Sequence, residues 1–222
     1  MKRIVSKTAS FALCMAVMCA SAVLLFANRN DKKEPICPTP CDSVLSSVAG
    51  EIDAMCAAGI MPTSSIDGRC YFYPTVPVTR EYFAYVLARY LGIDDGFTSS
   101  LSIGVNDEND ISPRFLGGVR SVVHAGLLPI YEDCGIYVFC PTEELTRSQV
   151  AEVMAGMVGQ SVSSEKSDSF CDIGDDENAS AIDTMIGLNI MTGFADGTFR
   201  PENIVTRQEL AHIFYRLCEM NQ

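Results

Sequence analysis

Three segments of the chain repeat one string, F-x-P-x-x-x-[VL]-T-R: Phe72 to Arg80, Phe139 to Arg147 and Phe199 to Arg207. Repetition at this period restricts the fold to copies of one supersecondary unit packed against one another. An alanine stands five residues past each Thr (Ala84, Ala151, Ala211). Apolar residues then follow in helical phase: Phe83, Val86 and Leu87; Val150, Val153 and Met154; Leu210, Ile213 and Phe214. Each copy therefore ends in an amphipathic helix that begins at its T-R pair.

The Thr is placed to cap that helix, its hydroxyl accepting from an otherwise orphan backbone N–H. Gln149 and Glu209 lie three residues on in copies two and three and complete a capping box, whereas copy one has Tyr82 there. Arg80, Arg147 and Arg207 occupy the first helical position, where a cation opposes the helix dipole. A threefold repeat of this unfavourable choice predicts partners for the arginines. Upstream of each string a second helical pattern ends at Gly59, Gly126 or Asn189, residue types suited to a left-handed helix stop. Ile52, Met55 and Cys56, then Val119, Val122 and Val123, then Ile182, Met185 and Ile186 form its apolar face. Each copy thus reads helix, loop, helix. The first two loops are longer and carry cysteines.

Charge divides the chain unevenly. Residues 1–35 hold six of the 16 Lys and Arg and two of the 28 acids, so the rest is strongly acidic. Such a body repels nucleic-acid backbone and anionic lipid. Lys2, Arg3 and Lys7 precede an uncharged run from Thr8 to Asn28, the pattern of a secretory signal or a signal-anchor. Ala20-Ser21-Ala22 offers a cleavage site, but the apolar run continues to Ala27, so cleavage and retention both stay open. Residues 1–35 are read as this leader or anchor with a short linker, and residues 8–28 as a hydrophobic helix that contacts membrane if uncleaved.

Export agrees with cysteine usage, since eight cysteines follow the leader and an oxidising compartment lets them pair. The expected bonds are Cys134–Cys140, Cys56–Cys70, Cys171–Cys218 and Cys37–Cys41. The alternative is eight thiols acting as small apolar residues. No C-x-x-C pair occurs after the leader and the histidines are His124 and His212, which argues against zinc. Neither histidine has a nucleophile motif beside it, and no catalytic residue or cofactor is expected. The acidic runs Asp107–Asp110 and Asp172–Glu177 precede helices and read as charge favouring the positive helix end.

Copy three runs Ile190-Met191-Thr192-Gly193-Phe194-Ala195-Asp196-Gly197-Thr198-Phe199-Arg200-Pro201, then Thr206-Arg207-Gln208-Glu209. It resembles the S-layer homology family, and Phe170-Cys171-Asp172-Ile173 resembles that family's F-x-D-V opening. The resemblance divides the exported part into repeats at 36–97, 98–164 and 165–222. It implies a mainly α fold, with three helix-loop-helix repeats in a pseudo-threefold arrangement and second helices gathered in a central bundle. It further implies a non-catalytic anchor of the bacterial cell envelope, bound to secondary cell-wall polysaccharide in grooves between repeats, where the glycan is often pyruvylated. Arg80, Arg147, Arg207, Thr206, Gly193, Asp196, Gly197 and Thr198 are the glycan-binding residues so implied. A guanidinium grips a carboxylate with two parallel bonds, which a lysine cannot do. The competing role for these arginines is structural. Copies one and two lack G-x-x-D-G-T and the chain has no Trp, so one or two grooves are expected to be lost or altered. Copy three keeps the whole motif, which places the largest binding effect at Arg207. The alternative function is an envelope structural or protein-interaction module that has lost its glycan site; if the leader is cleaved, the cargo is expected to be a partner chain.

Overall fold

The structure is a computed structural model and describes residues 3–5, 37, 39–93, 100–158, 170–174 and 176–220. The hydrophobic run at 8–28 lies outside the described residues. Among the described residues six α-helices form the body: α1 (Ala49–Ala57), α2 (Arg80–Leu91), α3 (Pro113–His124), α4 (Arg147–Val158), α5 (Ala179–Gly187) and α6 (Arg207–Met220). Five short strands accompany them: β1 (Arg3–Val5), β2 (Ser64–Ile66), β3 (Arg69–Tyr71), β4 (Ile130–Asp133) and β5 (Ile136–Val138). β2 pairs with β3, and β4 lies antiparallel between β1 and β5, with Arg3 opposite Glu132. None of the described helices is long and apolar enough to cross a membrane.

The caps follow the sequence. Thr79 accepts from the Tyr82 N–H, and Thr146 and Gln149 exchange backbone-to-side-chain bonds at 3.0 and 3.2 Å. Gly59, Gly126 and Asn189 all sit at positive φ, 67°, 73° and 56°. The two long loops contain hairpins that the helix-loop-helix reading did not include. Asp67-Gly68 and Cys134-Gly135 make their turns, with φ of 51° and 73°, and 52° and 81°. Two successive left-handed residues match the right-handed twist of a two-residue hairpin. The three extra residues of each loop go into this excursion.

Helices pair between copies rather than within them. α2 packs against α3, α4 against α5, and α6 against α1, so each second helix receives the first helix of the next copy and the last closes on the first. The T-R segments are joined in the same order. The Val78 N–H donates to Val205 O, Val205 to Leu145 O and Leu145 to Val78 O, at 2.9, 2.9 and 3.0 Å. Arg80, Arg147 and Arg207 donate likewise to Glu143, Asn203 and Val76 carbonyls. Each copy therefore lacks a partner for its first helix until its neighbour is present. The fully buried side chains include the Phe of all three strings, Phe72, Phe139 and Phe199, with Phe83 and Phe214 meeting between α2 and α6 at 6.4 Å.

All eight cysteines after the leader are thiols in the structure. The expected Cys134–Cys140 bond is not closed, because Cys134 occupies the hairpin turn and β5 runs extended between the two. Cys171–Cys218 also fails to form: Cys218 is on α6, which packs on α1, while the Cys171 thiol points to Gly197 O at 3.7 Å. Cys56 is buried on α1, where burial pushes its thiol up to about 12, and neither it nor Cys70 is bonded. The Cys37 thiol is turned to Thr39 O at 3.7 Å instead of to Cys41.

Candidate functional site

The three arginines all reach into the loop of the following copy. Arg80 is 2% exposed and donates from Nε to Phe139 O, from Nη1 to the Tyr131 hydroxyl and from Nη2 to Pro129 O, each at 2.9 Å. Arg147 donates from Nε to Phe199 O at 2.9 Å and from Nη2 to Thr192 O at 2.7 Å. Arg207 donates from Nη1 to Phe72 O at 3.2 Å, and its buried Nε has no partner among the described residues. Aromatic faces cover all three: Tyr131 and Phe139 at Arg80, Phe194 and Phe199 at Arg147, and Tyr82 at Arg207. Recurrence of an arginine at the helix start is thus explained by the carbonyl of the next copy's F-x-P phenylalanine.

Three aspartates hold the same strings from the other side. Asp42 accepts from the N–H groups of Phe72 and Tyr73, Asp107 from Phe139 and Cys140, and Asp172 from Phe199 and Arg200, all at 2.7–2.8 Å. The second residue of each pair is left-handed, with φ of 59°, 58° and 59°. That conformation costs a non-glycine residue about 1–2 kcal/mol, and the charge-assisted pair of bonds offsets it. Asp107 and Asp172 are therefore string clamps and not, as their sequence context suggested, solvated charge at a helix start. Burial pushes the Asp172 carboxyl up, but the Phe199 and Arg200 N–H groups outweigh it and hold the carboxyl below its usual range. A depressed folded-state pKa stabilises above the unfolded value, about 3.9 for Asp, and the benefit is lost as pH falls through the depressed value. Thermal melts should therefore show a falling midpoint below about pH 4, and Asp172→Asn should flatten part of that dependence.

A groove of about 210 Å³ opens beside Arg147. Its walls come from three copies: Ser47 and Val48 ahead of α1, Arg147 at the start of α4, Thr192 to Phe194, and Gln208, Glu209 and His212 on α6. Arg147 Nη1 lies 4.0 Å from Glu209 Oε1, and His212 Nδ1 lies 2.8 Å from Glu51 Oε2. Burial lowers the Arg147 pKa from its ordinary value, and Glu209 opposes this. The Ser46 hydroxyl donates to Gln208 Oε1 at 2.9 Å and ties the approach to α1 onto α6. Gly193 stands four residues past its helix stop, where copies one and two have Thr63 and Ile130. A Cβ on Gly193 would lie 1.7 Å from Phe170 Cε1, so glycine at this position lets the Phe170 ring pack and keeps the groove wall free of a side chain.

Of the eight residues the sequence pointed to, Arg147 and Gly193 line this groove. Arg80 and Arg207 serve other copy junctions. The Thr206 N–H and hydroxyl both donate to Glu209 Oε2 at 2.7 Å, which makes the Glu209 half of the capping box at the start of α6. Asp196, Gly197 and Thr198 form the turn that replaces a hairpin in copy three. Asp196 accepts from the Thr198 N–H, the Thr198 hydroxyl and Arg200, bonds that lower its carboxyl to about 2. The copy-three loop is paired with the arginine of copy two, Arg147, and not with Arg207. Gln208, Glu209, His212 and Ser47 were not singled out as binding residues. No sequence signal marks them, because the groove is assembled from three separate copies.

Residues 169–211 match the S-layer homology domain family. The chain is similar to cell surface glycoprotein 1 of Acetivibrio thermocellus, 26% identical over 192 residues that make up 82% of this chain and 8% of the relative. It is also similar to the cellulosome-anchoring protein of the same organism, 33% identical over 86 residues, 37% of this chain and 19% of the relative. The chain thus spans less than a fifth of either relative's length. The matched segment, residues 169–211, which holds the Asp172 clamp, the Gly193 wall and the third T-R pair, is thus similar to an S-layer homology domain.

Proposed function

We propose that the chain is a cell-envelope anchoring module, outside the cytoplasm, whose three repeats stand around a pseudo-threefold axis and whose Arg147 groove binds an acidic wall polysaccharide. The observation that supports it best is the position of Arg147. Its guanidinium is buried against two backbone carbonyls, while Nη1 faces a groove with Glu209 no nearer than 4.0 Å. A ligand carboxylate, such as that of a pyruvyl ketal, supplies the short charge-assisted bond that Glu209 does not make. Thr192, Gln208 and His212 add polar groups of the kind that orient sugar hydroxyls, and Phe194 adds an apolar face. The Arg80 junction has Tyr131 bonded to its guanidinium, which supports the Arg147 groove over that junction as the glycan site. The relatives' names, a cell surface glycoprotein and a cellulosome-anchoring protein, are consistent with an envelope role.

The test is co-sedimentation with cell-wall sacculi. Binding to sacculi that retain their polysaccharide, and loss of it on chemically stripped ones, is the expected result. His212→Ala and Gln208→Ala should weaken binding several-fold with the fold intact by circular dichroism. Equal binding to both preparations would favour the protein-interaction alternative.

A further inference from the structure

Copy one carries a cysteine on both sides of the junction where the chain enters the first repeat. The Cys41 N–H donates to Cys70 O at 2.8 Å, and the Asp42 carboxylate accepts from the Phe72 and Tyr73 N–H groups, each at 2.7 Å. Three bonds therefore pin residues 41–42 against residues 70–73. Cys70 stands opposite Ser65 in the β2–β3 hairpin, one place in from the Ile66–Arg69 pair that flanks the turn. Antiparallel pairs alternate in hydrogen bonding, so the backbone groups of Cys70 point away from β2 and toward the approach. A 2.8 Å N–H···O bond holds the Cα atoms of Cys41 and Cys70 within about 6.7 Å of each other. That lies inside the Cα window of a disulfide, about 4.4–6.8 Å.

The same junction recurs from Asn106 to Tyr137 O at 2.8 Å and from Cys171 to Gly197 O at 3.3 Å. Copy one alone has a cysteine at both positions. In copy three the Cys171 thiol turns to Gly197 O at 3.7 Å, so a thiol at this position reaches the residue that faces it. Cys41 is exposed and Cys70 half-buried, which leaves both open to an oxidant, whereas Cys56 is buried on α1. Cys37 is the rival partner. It does most to push the Cys70 thiol up, but its own thiol is turned to Thr39 O at 3.7 Å.

We infer that Cys41 and Cys70 close to a disulfide under oxidising conditions and staple the approach of copy one onto β3. The oxidant is a disulfide-bearing donor, either a dithiol oxidoreductase or a small-molecule disulfide. The thiolate of one cysteine attacks the donor's S–S bond and forms a mixed disulfide, releasing one donor sulfur. The thiolate of the second then displaces the other donor sulfur. The two cysteines lose two electrons and two protons, and the donor leaves as two thiols. The staple sits beside the string that Arg207 grips. Arg207 makes one bond to Phe72 O, at 3.2 Å, where Arg80 makes three to its own neighbour. The bond thus reinforces the junction with the fewest arginine contacts, the one that closes copy three on copy one. It stands on the backbone junction and not on what the Arg147 groove binds.

The experiment treats the purified full chain with glutathione disulfide, alkylates it in denaturant without reductant and maps its peptides, so the result does not depend on export or on glycan binding. The expected product is a Cys41–Cys70 linked peptide, two hydrogens lighter than the paired thiols, with Cys37 and Cys56 alkylated. Fragmentation of the linked peptide between residues 37 and 41 separates the two candidate partners. Linkage of Cys37 or Cys56 to Cys70, of Cys37 to Cys41, or alkylation of both Cys41 and Cys70, would overturn the assignment. Melting curves of the oxidised protein give a second reading. Cys41→Ser and Cys70→Ser should each lower the midpoint by a similar amount, and the double variant by no more. Cys37→Ser should keep the linked peptide and the parent's midpoint. Loss of the link in Cys37→Ser, or its persistence on Cys70 in Cys41→Ser as the parent's bond, would also overturn it.

Discussion

Arg80→Ala is expected to lose about 3–4 kcal/mol of stability, measured by urea unfolding at neutral pH. The guanidinium is 2% exposed and supplies three donors to groups on the next copy. Alanine leaves the Phe139 and Pro129 carbonyls and the Tyr131 hydroxyl without that donor in a space water enters poorly. Arg80→Lys should recover less than half, because one ammonium cannot reach three acceptors set in a fork. Arg207→Ala should cost about 1 kcal/mol, since it makes one 3.2 Å bond and already has a buried Nε without a partner. Equal losses at the two positions would contradict the junctions described above. The contrast also tests whether copies one and two are tied more firmly than copies three and one.

Gly193→Ala is the second large expectation. Its Cβ would overlap the Phe170 ring, with Cε1 at 1.7 Å, Cζ at 2.2 Å and Cδ1 at 2.7 Å. No small adjustment removes three overlaps on one ring, so Phe170 must leave its contact with Phe199, now at 6.2 Å between ring centroids. Giving up that burial costs about 1.5–3 kcal/mol. Combining Gly193→Ala with Phe170→Ala should cost clearly less than the sum of the two single changes, because they remove the same contact. Wall binding should fall in Gly193→Ala even at temperatures where the variant is folded, since the displaced loop carries Thr192 and Phe194 of the groove. Additive losses, or unchanged binding in the folded variant, would count against Gly193 as a groove wall.

The helices and their caps were legible in the chain because they are local. Thr at the cap, an acceptor three residues on, apolar residues in phase and Gly or Asn at the stop are choices made within one turn of helix. The Asp67-Gly68 hairpin was equally local and its signal was present. The helix-loop-helix pattern masked it, because three-residue strands carry almost no periodicity. The aspartate clamps had a weaker signal, one Asp about thirty residues ahead of each buried Phe. In two copies that Asp stands at the head of an acidic run and looks like part of it.

Which copy serves which was decided by the tertiary structure alone. The sequence repeats an arginine, a loop and two helices three times, and nothing in that repetition says whether the arginine meets its own loop or the next one. A second helix of fixed length, starting at the T-R pair, carries its arginine away from the preceding loop of its own copy. It lands against the carbonyls of the following copy, and the first helix of that copy fills the remaining face. Cysteine partners were undecided for the same reason. Sequence neighbours such as Cys134 and Cys140 are held apart by an extended strand. Cys41 and Cys70, far apart along the chain, are joined through their backbone, the Cys41 N–H donating to Cys70 O at 2.8 Å where the approach meets β3. The chain by itself determined the unit and its caps, and the cyclic exchange of helices determined the junctions and the groove.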